Sequence, residues 1–280
     1  MESQSFLPGD PEPIDIHPWR RFVAIGDSFT EGVGDPEPNT ASGVRGWADR
    51  VAEVLSQEIP NFSYANLAIR GKLIQQIYDE QLDAALQIKP DLISISAGGN
   101  DLLRPNADPD KISALFEEAL QKLRRDNATV LVFTGVDVGF SPVFKHIRGK
   151  VAIYNENIHA LAKKYDCVVA DQWGLRELQD PRMWADDRLH LSPLGHHSVA
   201  RMVLECLNVE NDLEPLIPGP IPPSTWKQAR VDDLIWAREY LVPWVLRRIR
   251  HTSSGDGVSA KRPEPMPVVI NEGSEQLHKE

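Results

Sequence analysis

The stretch "VAIGDSFTEG", residues 23–32, sets the architecture of the whole chain. Val23, Ala24 and Ile25 read as the end of a buried strand, so Gly26, Asp27 and Ser28 fall where that strand leaves the core. In an open α/β sheet, ligands bind outside that carboxyl edge. An ordinary strand-to-helix turn uses the same residue types. What separates a turn from a site is what the other strands bring to the same edge.

Four further runs have the length and the Val, Ile and aromatic content of buried strands: "FSYANLAI", "DLISISAGG", "TVLVFTGVD" and "CVVADQW". Between them "GWADRVAEVLSQEI", "IQQIYDEQLDAAL", "KISALFEEALQKLRR" and "VAIYNENIHALAKKY" carry apolar residues at spacings of three and four. Strand and helix alternating in this way predict an α/β fold, a five-stranded parallel sheet with helices on both faces. A last domain helix begins at "SPLGHH", with Ser192 as N-cap and Pro193 in its first turn. The catalytic-size domain then spans residues 21–210, after an N-terminal arm of residues 1–20. The proline-dense residues 211–225 read as a linker, and 226–251 as an amphipathic helix that Pro243 should kink or break. The Ser, Gly, Pro and charge mixture over 252–280 predicts a disordered tail.

A net charge of −11 over 280 residues argues against a general binder of nucleic acid, which needs a basic surface. The two cysteines, Cys167 and Cys206, have no CxxC spacing and read as small buried hydrophobes, with neither a disulfide framework nor a zinc knuckle. The N-terminus lacks a basic start followed by an apolar run, and no later run is long enough to span a bilayer, so a cytoplasmic location is expected.

The strand ends carry the chemistry. The first delivers Asp27 and Ser28, the second leads to Arg70 and Gly71, and the third ends in "GGND" with Asn100 and Asp101. Downstream, "DDRLHLSPLGHH" sets Asp187 three residues before His190. A serine hydroxyl needs a base to take its proton, a role that suits imidazole because its pKa lies near neutrality. A carboxylate then fixes the imidazole tautomer and stabilises the imidazolium. Attack on an ester carbonyl makes an oxyanion that needs preorganised donors. The N–H of Ser28, the N–H of Gly71 and the side-chain amide of Asn100 could supply three.

Together the blocks "GDSFTEG", "NLAIRG", "GGND" and "DDRLH" resemble the SGNH branch of the GDSL esterase and lipase family, in order and over residues 26–190. The resemblance implies a three-layer α/β/α flavodoxin-like fold and hydrolysis of esters or transfer of acyl groups, with no metal or other cofactor. It assigns Ser28 as nucleophile, Gly71 and Asn100 to the oxyanion hole, and Asp187 and His190 to the triad. The implied partner is a small-molecule ester; the oligomeric state is left open.

Other residues have duller readings. Asp186 is the alternative orienting carboxylate, Asp27 anchors its turn, and Asp101 caps its loop. His196 and His197 fall inside a helix as packing or surface residues. Trp47 reads first as core and second as a substrate-pocket residue. Pocket walls are expected from loops 33–46, 102–110 and 138–149. Two rival functions are a metal-dependent phosphoesterase, which lacks a DxH pair after the first strand, and a non-catalytic binding module on an esterase fold. The apolar groups of the C-terminal helix, Trp226 to Ile249, should dock on protein; a membrane surface, with Arg247, Arg248 and Arg250 on anionic lipid, is the less favoured alternative.

Overall fold

In β1 (Arg21–Gly26) the side chains alternate between two cores: Phe22 and Ala24 join Trp47 and Val203 on one face, Val23 and Ile25 join Ile74 and Phe116 on the other. A strand buried on both faces needs helices over both. The computed structural model, which describes residues 17–38, 40, 42–124, 127–220, 225–249 and 253–268, supplies them. The predicted arm up to residue 16, linker residues 221–224, residues 250–252 and the tail beyond residue 268 lie outside the described residues.

A single helical turn, α1 (Ser28–Glu31), follows β1, and α2 (Trp47–Glu58) returns the chain to β2 (Ser63–Asn66). Next come α3 (Ile74–Glu80), α4 (Leu82–Gln87) and β3 (Leu92–Ser96). The short α5 (Gly99–Leu102) and the long α6 (Pro109–Leu123) lead to β4 (Thr129–Phe133). From there α7 (Arg148–Tyr165) reaches β5 (Val168–Ala170), and α8 (Pro193–Cys206) closes the domain. The apolar faces of α2 and α8 cover one side of the sheet, and those of α3, α4, α6 and α7 the other. The segment predicted as one helix over 74–86 breaks at Gln81, whose side chain turns back to the backbone of Gly26.

The first five strands are parallel in the order β5-β4-β3-β1-β2. In this order the winding reverses between β1 and β3, and a crevice opens at their carboxyl ends. Ser28 and Asn100 follow those two strands.

The five-stranded count and the disordered tail both need correction. A sixth strand, antiparallel on β2, lies within the segment expected to be disordered, at Arg262–Pro267. Its sequence, "RPEPMP", misleads because proline is excluded from strand interiors. Here the three prolines occupy alternate positions, so their missing N–H groups share one side of an edge strand. The same alternation blunts that edge against further pairing.

The C-terminal helix starts at Trp226, capped by Thr225, whose hydroxyl accepts from the N–H of Gln228 at 3.3 Å. Labelled α9 (Trp226–Trp236), it passes through a π-helical turn, Ala237–Leu241, into α10 (Val242–Ile249). Pro243 therefore does not break it. A proline ring crowds the carbonyl four residues back and lacks an N–H, and the wider π turn ahead of it absorbs both. Later strand β6 is the Arg262–Pro267 segment. The helix touches the domain through Trp236, which is buried, and Trp244, which packs edge-on against Phe144. Trp226 and Leu234 remain exposed, at 68% and 72%. Among the described residues no helix is long and apolar enough to cross a membrane.

Candidate active site

Gly26 ends β1 at φ +152°, where a Cβ would press on the carbonyl of Ser96 in β3. Its backbone is braced by Gln81: the Gly26 N–H donates to Oε1 at 2.8 Å, and Nε2 donates to the Gly26 carbonyl at 2.9 Å. Asp27 then caps α1, Oδ1 accepting from the N–H of Phe29 at 3.1 Å. Burial pushes the Asp27 carboxyl up to about 6, against the opposing pull of that N–H and of His190. Ser28 is the first residue of α1.

The second loop is tied to the first by a buried carboxylate. Glu31 accepts from the backbone N–H of Arg70 at 2.6 Å, from its Nε at 2.9 Å and from its Nη2. Asn66 adds a bond from Nδ2 to the Thr30 carbonyl at 2.8 Å. Gly71 follows at φ +75°, a left-handed conformation that favours glycine. Because Glu31 is buried and Arg70 is 30% exposed, Glu31→Ala should cost on the order of 2 kcal/mol, less than a fully buried pair. A Tm drop of roughly 5 °C by calorimetry is expected; an unchanged Tm would contradict this account of the clamp.

The third loop holds Asn100 in α5. Its Nδ2 donates to Asp27 Oδ2 and to the Lys72 carbonyl, both at 3.1 Å. Asp101 accepts from the N–H of Ile74 at 3.0 Å, so it caps α3.

The fourth loop closes on itself, the Ala185 N–H donating to the His190 carbonyl at 2.8 Å. That fold turns Asp187 onto the ring: Oδ2 lies 2.6 Å from His190 Nδ1, while Oδ1 accepts from the N–H groups of Leu189 and His190 at 2.9 Å each. Burial alone would raise the Asp187 carboxyl, but the His190 bond and charge, with the two N–H donors, outweigh it and hold it below the usual range. Asp186, the alternative, is exposed.

Ser28, Gly71, Asn100, Asp187 and His190 line one cavity of about 340 Å³. A second cavity, about 210 Å³, shares Ser28, Asn100 and His190 and runs inward between Phe29, Phe133, Val138 and Tyr154. Four loops far apart in sequence thus meet at the crevice between β1 and β3.

Trp47 is not part of it. The indole is fully buried, stacked on Phe29 at 5.6 Å and tilted on Phe133 at 4.8 Å, so it backs the apolar cavity without lining it. His196 is also buried, with Nδ1 accepting from the Trp47 N–H at 3.2 Å and Nε2 directed to the Val33 carbonyl at 3.3 Å. Burial lowers its pKa to about 3, which keeps it neutral. Cys167 and Cys206 are half-buried, and burial raises the Cys167 thiol to about 11. Loop 33–46 is pinned by the Asp35–Arg50 ion pair, and none of its described residues lines either cavity. Among the described residues no three His, Cys, Asp or Glu side chains cluster closely enough to hold a metal ion.

Sequence reasoning missed Gln81 and Glu31 as supports of the site. Glu31 and Arg70 sit inside the quoted blocks "GDSFTEG" and "NLAIRG", so the signal was present as two opposite charges in adjacent loops.

The model of the GDSL-like Lipase/Acylhydrolase family matches residues 24–197, which contain all four loops. The chain belongs to this family. By membership it is an acyl hydrolase. A curated relative, the uncharacterized protein YpmR of Bacillus subtilis (strain 168), is 29% identical over 215 residues, 68% of this chain and 82% of that protein. Among solved structures, LAE5, an alpha/beta hydrolase enzyme from the metagenome of Lake Arreo in Spain, is 20% identical with a TM-score of 0.59, covering 69% of this chain and 97% of its own. Axe2, an acetylxylan esterase from Geobacillus stearothermophilus, is 18% identical with a TM-score of 0.56, covering 70% and 97%. At these identities the likeness to solved structures is one of fold. The family match stops at residue 197, short of α9, α10 and β6.

Proposed function

We infer that this member of the family is a serine esterase that cleaves carboxylic esters through an acyl-enzyme on Ser28. The observation that carries the reading is the convergence of Ser28, Gly71, Asn100, Asp187 and His190 on one cavity, with Asp187 already bonded to the His190 ring. Asp187 fixes the proton on Nδ1, which leaves Nε2 free to take the Ser28 proton as Oγ attacks the carbonyl. The oxyanion that forms meets the N–H groups of Ser28 and Gly71 and the amide of Asn100. Asn100 has both amide hydrogens engaged, so one of its two 3.1 Å bonds is exchanged for the oxyanion as substrate arrives. His190 returns its proton to the leaving alcohol, and water repeats the sequence in reverse to free the acid.

The apolar cavity beside Ser28 fits the acyl chain. Its walls are Phe29, Phe133, Val138 and Tyr154, and it offers the carbonyl end an opening at Ser28 and Asn100. Each methylene moved from water into such a wall gains about 0.8 kcal/mol, or roughly fourfold in kcat/KM. Over p-nitrophenyl esters from acetate upward, kcat/KM should therefore climb at about that slope for several carbons and level off once the cavity is full. A flat or falling series would contradict this placement of the acyl group, and no hydrolysis at any length would contradict the esterase reading.

A further inference from the structure

The C-terminal extension grips two of the four loops that build the site. From the triad loop, Arg188, which sits between Asp187 and His190 at a left-handed φ of +55°, reaches Asp233 of α9 at 2.7 Å and lies over the Trp236 ring at 4.8 Å. At the oxyanion loop, Ser253 Oγ rests where a Cβ on Gly71 would stand, and Gly255 backs onto the Arg70 carbonyl. Lys261 then bonds Asp49 and the Arg45 carbonyl in and before α2, and β6 completes the sheet beside β2. These contacts at Asp233, Trp236, Ser253 and Lys261 hold the described residues of the extension against the domain as a wall. It faces the polar cavity, opposite the acyl side.

We propose that this extension, which lies beyond the family match, supplies the alcohol-binding half of the active site and selects esters of a neutral, hydroxyl-rich alcohol. The proposal rests on the esterase reading above. With Ser28 and His190 at the junction of the two cavities, an acyl chain in the apolar one leaves the alcohol only the other. That cavity's extension wall presents Glu239, Ser254 and Asp256, and its domain wall Gln76 and Arg104. Its ionised side chains are three carboxylates (Asp187, Glu239, Asp256) against two guanidiniums (Arg104, Arg247), so no positive excess selects a phosphate. Donors and acceptors of both kinds, interleaved with the indole faces of Trp236 and Trp244, suit a polyol, whose hydroxyls both donate and accept.

The test compares monooctanoyl glycerol with p-nitrophenyl octanoate, which share an acyl group and differ in the alcohol. For the full-length chain carrying Glu239→Ala and Ser254→Ala, the ratio of kcat/KM for the glycerol ester to that for the nitrophenyl ester should fall by more than about tenfold, from two lost hydrogen bonds, one of them charged. The loss should appear chiefly in KM for the glycerol ester. If the pair does not fold, Glu239→Gln, which keeps the side chain's bulk on the extension wall and removes its charge, reads out the same ratio. A ratio within twofold of native, whether both activities fall together or neither changes, would overturn the proposal. Hydrolysis of neither ester by the native chain would overturn the esterase reading itself, and the proposal with it.

Discussion

Ser28→Ala should reduce ester hydrolysis by a factor on the order of 10⁴ to 10⁶, leaving only what the oxyanion donors and substrate binding provide over water. The reason is local. Ser28 opens α1 at the junction of the two cavities, both of which it lines together with His190. The substitution leaves the supports of the loop in place, because Gln81 holds Gly26 and Glu31 holds Arg70 without help from the Ser28 side chain. Cooperative unfolding at the native Tm is the control that separates lost chemistry from lost structure. A Ser28→Ala protein with more than a few per cent of native kcat would remove the nucleophile from the account.

Asn100→Ala should lower kcat by about 10² to 10³, the cost of one oxyanion donor, with a smaller change in KM. Asn100→Asp should be no better, although it is nearly isosteric. An ionised carboxylate offers only acceptors and adds negative charge where more must develop. It would also face Asp27 Oδ2, now its hydrogen-bond partner. The Asp27 carboxyl, already raised by burial to about 6 from an ordinary 3.8, would rise further beside a second carboxylate. A raised acid favours the protonated fold, so its contribution to stability is full below about pH 4 and is lost as pH rises through the folded pKa. Asn100→Asp should accordingly lose Tm relative to native as the pH rises from about 4 to above 6. Its activity should be low even at the acid end, where it folds best. Activity that simply tracked Tm in both variants would make Asn100 a structural residue.

Much of this was legible because period and punctuation agree in β1. Val23, Ala24 and Ile25 are apolar without alternation, which signals burial on both faces, and the run ends on Gly26, Asp27 and Ser28. The spacing of Asp187 and His190 likewise fits one loop turn, and the structure closes that turn with the Ala185–His190 bond. The failures have physical causes too. Trp47 could be placed near Ser28 but not on a side of Phe29, since packing depth has no local signature. Strand β6 was hidden by Pro263, Pro265 and Pro267, because edge pairing tolerates at alternate positions what a central strand forbids. Gln81 looked like one polar position on an amphipathic helix, and only the close passage of β1 makes it a brace.

The central claim is that Ser28 Oγ is the nucleophile activated by His190. Its most direct test is covalent: the full-length protein is treated with a fluorophosphonate, its intact mass is measured, and the modified peptide is sequenced. The account predicts a single adduct on Ser28 in the native chain, strongly slowed in His190→Ala and absent in Ser28→Ala. A native chain that stays unlabelled under conditions where ester hydrolysis proceeds, or an adduct that persists in Ser28→Ala, would contradict it.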